Sequence, residues 1–139
     1  MNVIFFLTPK TKLEYLYDTN TIRQGLEKIR VKGFTAIPII SKDGKYIGTI
    51  SEGDFLWYIM NNKKFDIKDL EDTLAINIIN KTKYQPVRVN ARIEDLYNLI
   101  VNQNFVPVID DRDIFMGIIT RKSVIEYYYN KNNKTRERE

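Results

Sequence analysis

The sequence predicts an α+β (α/β) fold built from two β-α-β-β-α repeats that pack together by pseudo-twofold symmetry. The first observation is a set of turn and strand residues that recur at a constant spacing of 69 positions: Pro38 and Pro107, Gly48 and Gly117, Ser51 and Thr120. The second is an Asp-Gly turn between two runs of β-branched residues, which is typical of a β-hairpin. The third is length, because each copy is too short to bury its own sheet alone.

The helical segments before these hairpins repeat as well. Ile22 and Ile93 are 71 positions apart, and so are Ile29 and Ile100. The change from 71 to 69 places a two-residue deletion in the helix-to-strand loop of the second copy. A period that holds across Pro, Gly and apolar positions indicates a true internal repeat.

The first half of the chain begins with an N-terminal extended segment at 1–11, which Pro9 interrupts. The first repeat is assigned to 12–61, and the expected order of its elements is a strand at 14–17, a helix at 22–32, strands at 36–40 and 46–51, and a helix at 52–61. Gly33 is expected to end the first helix as a C-cap. Ser51 is the expected N-cap of the second helix, with Asp54 in its first turn.

The second half begins with a polar linker at 62–83, in which short helices are expected at 67–70 and 74–78. The second repeat is assigned to 84–130, and the expected order of its elements is a strand at 86–89, a helix at 93–102, strands at 105–109 and 115–120, and a helix at 121–130. The charged tail at 131–139 is expected to be disordered.

Composition narrows the classes of function. There is no Cys and no His, which excludes disulfides, thiolate or imidazole metal sites and Ser-His-Asp catalysis. We therefore expect no metal, no cofactor and no enzymatic activity. The chain has no apolar run long enough for a membrane span and no signal peptide at its start, so we expect a cytoplasmic protein without membrane association.

An apolar-Pro strand followed by a Gly-x-x-[Ser/Thr]-x-x-[Asp] turn resembles the cystathionine-β-synthase (CBS) domain. Gly48, Ser51 and Asp54 carry the turn in the first copy, and the doubled pattern covers about 12–130. A tandem pair of this kind is called a Bateman module. The resemblance implies a disc with two clefts that bind adenine nucleotides, without a catalytic role.

The first predicted cleft combines a base-binding strand with a phosphate-binding helix start. Small or apolar residues with free backbone groups at 35–38 can sandwich an adenine ring. The start of the last helix can hold phosphate through its unpaired N–H groups, and Arg121 can contact phosphate bidentately. By resemblance, each cleft takes its strand from one copy and its Ser/Thr turn from the other. The residues assigned to this cleft are Lys12, Tyr15, Phe34, Thr35, Ala36, Ile37, Pro38, Thr120, Arg121, Lys122 and Ser123.

A second candidate nucleotide cleft is not equivalent to the first. Asp54 stands where the family places a carboxylate that binds ribose hydroxyls, whereas Ser123 holds that position in the other copy. Asp54 is equally well explained as a favourable charge at a helix N-terminus. The first cleft lacks the acid and therefore suits a cyclic dinucleotide, with ribose hydroxyls consumed in phosphodiester links. The residues assigned to the second cleft are Val87, Phe105, Val106, Pro107, Ser51 and Asp54.

This asymmetry is similar to that of the stand-alone cyclic di-AMP-binding CBS proteins of Gram-positive bacteria. The matching residues are the strand at 33–38, Lys12 and the turn at 120–122, with Phe34 and Lys122 replacing a Tyr and an Arg. The resemblance implies a homodimer. It also implies a regulated protein partner, such as a (p)ppGpp synthetase/hydrolase, that some ligand-free members engage and the nucleotide releases. Successive aromatics at 127–129 cannot all face one core. With Trp57 and Tyr58 they are expected at the dimer contact, except for one or two that lie in the core.

The leading hypothesis is therefore a cytoplasmic adenine-nucleotide sensor that binds cyclic di-AMP and controls a protein partner. One alternative is AMP or ATP sensing through Asp54. A different class, nucleic-acid binding, is suggested by the net charge of +4 and the pI near 9.2. It is weakened by 18 interspersed acidic residues and by the absence of a recognised nucleic-acid-binding motif.

Overall fold

The computed structural model describes residues 1–63 and 66–138, with side chains to residue 134. Its strands are β1 Thr8–Pro9, β2 Leu16–Tyr17, β3 Ala36–Ile40, β4 Tyr46–Ser51, β5 Val87–Arg88, β6 Phe105–Ile109 and β7 Phe115–Thr120. Its helices are α1 Ile22–Lys32, α2 Glu52–Asn62, α3 Ile67–Glu71, α4 Ile93–Ile100 and α5 Arg121–Arg138. None of the helices in these ranges is long and apolar enough to cross a membrane.

The strands form two sheets, one for each predicted repeat. The first has the order β2-β3-β4 and the second the order β1-β7-β6-β5. In each, a short strand runs parallel to the first strand of an antiparallel hairpin. The prediction of an α+β fold with two β-α-β-β-α repeats is therefore confirmed.

The two hairpins meet at their turns. The backbone N–H of Tyr46 donates to the Asp113 carbonyl (3.0 Å), and the N–H of Phe115 donates to the Gly44 carbonyl (2.9 Å). The rings of Tyr46 and Phe115, which are 69 positions apart, stack at a centroid distance of 6.1 Å. These reciprocal contacts join the repeats around a pseudo-twofold axis.

The predicted helix ends are confirmed where they depend on local sequence. Gly33 ends α1 in the left-handed conformation (φ 70°), which glycine adopts at little cost. At the start of α2, the Asp54 carboxylate accepts the backbone N–H of Ser51 at 2.9 Å. This contact satisfies a donor at the start of the helix and adds negative charge at its positive end.

The N-terminal segment differs from the extended segment predicted at 1–11. Val3–Phe6 forms a 3-10 turn whose Val3 and Phe6 side chains are buried in the core of the second repeat. β1 then adds to the edge of that repeat's sheet by pairing with β7. Burial of these apolar side chains outweighs the preference of the segment for an extended backbone.

Each repeat's hairpin has a glycine where the segment leading into the other repeat crosses it. The Thr8 carbonyl and the Leu7 side chain lie against Gly117, and the Ile79 side chain lies against Gly48. A Cβ atom at either glycine would overlap these neighbours. The absence of a side chain at these two glycines therefore allows the segment that leads into one repeat to pack closely on the hairpin of the other.

The second half departs from the prediction mainly at its end. Helix α5 continues to Arg138, whereas the sequence predicted an end at 130 and a disordered tail at 131–139. No Pro or Gly interrupts these residues, so the backbone continues the helix. Residue 139 lies outside the described residues. The strands predicted at 14–17 and 86–89 contain only two paired residues each, β2 and β5.

Candidate nucleotide cleft

A cavity of about 480 Å³ lies between the two repeats. Its wall comes from the loop before β2, the end of α1, the start of β3, the start of β6 and the end of β7. We call this cavity the first cleft, and its lining residues are Lys12, Leu13, Glu14, Lys32, Phe34, Thr35, Ala36, Pro38, Asn104, Phe105, Ile118 and Thr120. Six of the eleven residues predicted for this cleft line it: Lys12, Phe34, Thr35, Ala36, Pro38 and Thr120.

The pleat of β3 explains why only alternate residues reach the cavity. Ala36 and Pro38 line it, whereas the Ile37 side chain is 1% exposed and belongs to the core of the first repeat. The small Ala36 side chain leaves space between β3 and Phe105 on the opposite wall. That space is apolar on both sides and suits a flat ring.

The rim of the first cleft is cationic. Lys12 and Lys32 both line it, with Glu14 as an acidic neighbour. Glu14 is shared by two ion pairs, since its carboxylate lies 3.4 Å from the Lys28 ammonium and 3.6 Å from that of Lys32. Lys12 and the partly neutralised Lys32 therefore offer positive charge to an anionic ligand.

Thr120 stands at the start of α5 with its hydroxyl on the cavity wall. Its Oγ1 accepts the backbone N–H of Ser123 at 3.1 Å, and the Ser123 hydroxyl donates to the Thr120 carbonyl at 2.8 Å. Ser123 thus completes the helix cap and does not line the cleft. The hydroxyl proton of Thr120 is available to a ligand, because its oxygen acts as the acceptor in the cap.

The structure does not bring the predicted basic pair to the cleft wall. The Arg121 Nε donates to the Ile100 carbonyl (2.9 Å) at the end of α4, where a cation is favourable with the helix dipole. The Lys122 side chain is 83% exposed and lies 3.9 Å from Glu126. The sequence predicted both as phosphate ligands because it could not show the acceptor that holds Arg121.

Tyr15 is also outside the cleft lining. Its ring packs edge-on against Tyr17 and Phe115, at centroid distances of 5.7 Å and 6.4 Å. The Lys10 ammonium lies 5.3 Å from the same ring. Tyr15 therefore contributes to packing beside the hairpin contact.

In the other repeat the space that corresponds to the one beside Ala36 is filled by its own side chains, and a smaller cavity of about 270 Å³ is lined by Tyr84, Gln85 and Thr49 among others. Tyr84 is 71 positions after Leu13, and Phe105 is 69 positions after Ala36. The rings of Tyr84 and Phe105 pack at a centroid distance of 5.1 Å. The rings of Tyr84 and Phe105 thus occupy the positions that the Leu13 side chain and the Ala36 methyl group occupy in the first cleft.

Lys83 completes this closure. It is 71 positions after Lys12, and its ammonium donates to the Ser51 hydroxyl at 3.3 Å. Ser51 itself is 3% exposed. Lys83 and Ser51 are the equivalents of Lys12 and Thr120, which line the first cleft. In the second cleft these two residues are hydrogen-bonded to each other.

The six residues predicted for the second cleft are not brought together around an open cavity. Val87 and Val106 lie in the core of the second repeat, and Pro107 is buried within β6. Phe105 lines the first cleft, whereas Asp54 lines a separate surface pocket beside Trp57. The physical reason is the bulk of the aromatic pair described above.

Tyr84 carries a perturbed hydroxyl. Burial of the ring and the nearby Asp54 carboxylate raise the pKa of Tyr84, and the Arg121 guanidinium opposes that shift. The hydroxyl is therefore protonated at neutral pH and able to donate. It does so to the Asn104 Oδ1 at 2.8 Å.

Six residues that line the first cleft were not predicted for it: Leu13, Glu14, Lys32, Asn104, Ile118 and Phe105, the last of which was assigned to the second cleft. Asn104 was accessible from the repeat period, since it is 69 positions after Thr35. Lys32 carried no such signal, because the last residue of a helix is usually solvated. Among residues 1–63 and 66–138, no cluster of three or more carboxylates is placed to hold a metal ion.

Comparison with known families decides the identity of the repeats. The CBS domain family matches residues 6–61 and 76–130. The chain belongs to the CBS domain family. The predicted resemblance to a tandem CBS pair is thereby confirmed, and the pair of repeats is a Bateman module.

Individual CBS proteins are similar over nearly the whole chain. Cyclic di-AMP receptor B of Bacillus subtilis (strain 168) is 23% identical over 121 residues, covering 87% of this chain and 82% of that protein. A crystal structure of CbpB in complex with c-di-AMP matches with a TM-score of 0.90 and 26% identity, covering 100% of this chain and 91% of the other. CbpB from Streptococcus agalactiae matches with a TM-score of 0.84 and 27% identity, covering 97% and 84%.

Proposed function

We propose that this chain is a cyclic di-AMP sensor that binds its ligand in the first cleft and has a regulatory role in the cytoplasm. The observation that carries the proposal is the asymmetry of the two clefts. The first is open between Ala36 and Phe105 and has Lys12 at its rim, whereas the second is filled by Tyr84. Binding, with no chemistry on the ligand, is the role that this lining supports.

A cyclic dinucleotide suits the first cleft better than a mononucleotide does. Its two phosphodiesters need cationic partners, and Lys12 and Lys32 supply them. Its ribose 3′-hydroxyls are esterified and do not need a carboxylate partner. Glu14 is engaged with lysines, and Asp54 is engaged with the Ser51 backbone. One oxygen of the Asp54 carboxylate is thus used at the start of α2, which favours a cyclic dinucleotide over AMP sensing through Asp54.

The size of the site and its relatives support the same ligand. A cavity of about 480 Å³ falls in the range of small-molecule sites, roughly 300–1,000 Å³. The Bacillus subtilis relative is named for its cyclic di-AMP receptor function, and a CbpB structure contains c-di-AMP. Adenine is the base that we therefore assign to the apolar space beside Ala36.

Calorimetric titration of the full chain with cyclic di-AMP, cyclic di-GMP, AMP and ATP tests the proposal. We expect cyclic di-AMP to bind most tightly. Lys12→Gln should weaken binding by roughly ten- to a hundredfold, because a charge-assisted contact contributes about 1.5–3 kcal/mol. Lys42→Gln, in the exposed turn of the first hairpin, is the matched control and should bind as the wild type does. No heat with cyclic di-AMP, or tighter binding of AMP, would overturn the proposal.

We infer further that two copies of the chain associate through α2 and α5. Both helices follow the hairpin of their repeat, and both expose large apolar side chains. The exposed fractions are 64% for Trp57, 55% for Met60, 60% for Ile125 and 65% for Tyr129. Exposed apolar side chains on symmetry-related helices are typical of an interface.

The regulated partner follows only from the resemblance. We infer that the ligand-free protein engages a protein such as a (p)ppGpp synthetase/hydrolase and that cyclic di-AMP releases it. Co-purification of the two proteins with and without cyclic di-AMP tests this inference. Capture that is unchanged by saturating ligand would contradict it.

A further inference from the structure

Two side-chain hydrogen bonds connect the filled second cleft to the wall of the open first cleft. The Tyr84 hydroxyl donates to the Asn104 Oδ1 (2.8 Å), and the Asn104 Nδ2 donates to the Thr35 Oγ1 (3.1 Å). Thr35 and Asn104 both line the first cleft. Tyr84 does not line it, and its ring packs against Phe105.

The direction of these bonds determines what Thr35 presents to a ligand. A carboxamide has an oxygen that only accepts and a nitrogen that only donates. With its oxygen toward Tyr84, Asn104 turns its nitrogen toward Thr35. Thr35 then accepts from Asn104, which leaves its hydroxyl proton free for an acceptor on the ligand. In the reversed amide, Thr35 would have to donate to Asn104.

The surroundings restrict the other degrees of freedom. The backbone carbonyl of Asn104 accepts the backbone N–H of Arg121 at 2.9 Å, and the backbone carbonyl of Thr35 accepts the backbone N–H of Glu52 at 3.0 Å. Both backbones are therefore fixed at the start of a helix, α5 or α2. The Tyr84 ring is fixed against Phe105, so its hydroxyl has a defined position. The Tyr84 hydroxyl donates to the Asn104 oxygen and so leaves the amide nitrogen to Thr35, whereas the reversed amide would require the Tyr84 hydroxyl to accept.

We propose that Tyr84 is a positioning residue for the nucleotide site in the first cleft: it orients the Asn104 amide so that Thr35 offers its hydroxyl proton to the ligand. The matching group on the ligand is an unprotonated nitrogen of a purine ring or an ester oxygen of the dinucleotide, each of which accepts a hydrogen bond. The inference rests on the proposed binding of cyclic di-AMP. Tyr84, one of the two aromatic residues that fill the second cleft, would then have a role in the first cleft.

The test is a double-mutant cycle on the full chain, read by calorimetric titration with cyclic di-AMP. Tyr84→Phe retains the ring against Phe105 and removes the hydroxyl, and Thr35→Val removes the donor with little change of volume. We expect each variant to raise the Kd by roughly five- to tenfold, the loss of one hydrogen bond. The double variant should bind no more weakly than Thr35→Val, because both changes remove the same contact.

Tyr58→Phe is the matched control. Its hydroxyl is hydrogen-bonded to the Thr73 Oγ1 at 3.2 Å, away from the first cleft, so its removal should leave the Kd unchanged. A wild-type Kd in Tyr84→Phe, or effects that multiply in the double variant, would overturn the positioning role while the proposed function stands. An absence of cyclic di-AMP binding to the wild type would instead overturn the proposed function and this inference together. Thermal unfolding of each variant separates a loss of contact from a loss of folding.

Discussion

Asn104 donates a hydrogen bond to Thr35 across the pseudo-twofold axis, at 3.1 Å, and the two residues occupy equivalent positions in the two repeats. They are 69 positions apart in the sequence. Each residue also accepts, through its backbone carbonyl, the first N–H of the helix after its own hairpin. Equivalent residues can contact each other only close to the axis, so this pair lies at the axis between the repeats, as Tyr46 and Phe115 do. The first cleft opens beside it.

Removing this amide should weaken the contact between the repeats. We expect Asn104→Ala to lower the free energy of unfolding by about 1–2 kcal/mol, because two hydrogen bonds of about 1 kcal/mol each are lost. Chemical denaturation monitored by circular dichroism measures the change. Asn102→Ala, at an exposed position nearby, is the control and should unfold as the wild type does. Equal midpoints for the two variants would show that the amide contributes nothing to the interface.

Local features of the fold could be predicted from sequence because their causes are local. The left-handed cap at Gly33 and the carboxylate of Asp54 at the start of α2 depend on residues within one turn. The N-terminal segment could not be predicted in the same way. Its Val3 and Phe6 side chains are buried by the second repeat, more than 80 residues away along the chain. The conformational preference of residues close in sequence gives no information about a packing partner so far along the chain.

In the candidate site, too, some features could be predicted from the sequence and others depend on contacts between distant residues. Pro38 and Thr120 line the first cleft, and the resemblance to the family had assigned both residues to it. Arg121 was not excluded, because the sequence does not reveal that the Ile100 carbonyl lies within reach of its Nε. The contrast between Ala36 and Phe105 is visible in the sequence. Its consequence, an open space in one cleft and a filled one in the other, emerges only from the packing.

That contrast predicts a variant that closes the first cleft. Ala36→Phe introduces the residue that the second repeat carries at the equivalent position, and we expect it to abolish cyclic di-AMP binding by filling the space beside Phe105. Calorimetric titration measures the loss, and circular dichroism checks the fold. Ala36→Ser, which adds one small atom, should retain binding within a few-fold. Tight binding by a folded Ala36→Phe variant would place the ligand elsewhere.

The proposed dimer predicts that one charge on α2 is sufficient to separate the copies. Trp57→Glu places a carboxylate on the exposed apolar face, where burial of an unpaired charge is costly. We expect the mass measured by light scattering after gel filtration to fall from two chains to one. Val101→Glu changes a side chain that is also exposed, at 71%, but lies on neither α2 nor α5, and should not alter the mass. A monomeric wild type would contradict the inferred dimer directly.

The two recurrent glycines should differ in their tolerance of a methyl group. At Gly117 the backbone is in a region that favours glycine (φ 152°), and the new Cβ would meet the Thr8 carbonyl. At Gly48 it would meet the end of the flexible Ile79 side chain. We expect Gly117→Ala to lower the free energy of unfolding by about 2–4 kcal/mol and Gly48→Ala by about 1 kcal/mol. Equal losses in denaturant titrations would argue against the backbone contact as the cause.

The stacked hairpin contact predicts a loss of stability in alkali. Burial raises the pKa of Tyr46 to about 12, although the hydrogen bond to Thr49 partly opposes the shift. The folded chain therefore holds a proton that the unfolded chain releases near pH 10, the ordinary pKa of tyrosine. The contribution of Tyr46 is complete below about pH 10 and is lost as the pH rises toward about 12, by on the order of 2 kcal/mol.

Thermal unfolding between about pH 9 and pH 12 measures this effect. Tyr46→Phe cannot ionise, so its melting temperature should fall less steeply with pH than that of the wild type. Tyr17→Phe removes an exposed hydroxyl and serves as the control, since the wild-type slope should persist. Parallel slopes for Tyr46→Phe and the wild type would contradict this prediction. They would mean that other groups, such as the lysines, cause the loss of stability in alkali. They would also mean that the Tyr46 hydroxyl remains hydrated at the contact between the hairpins.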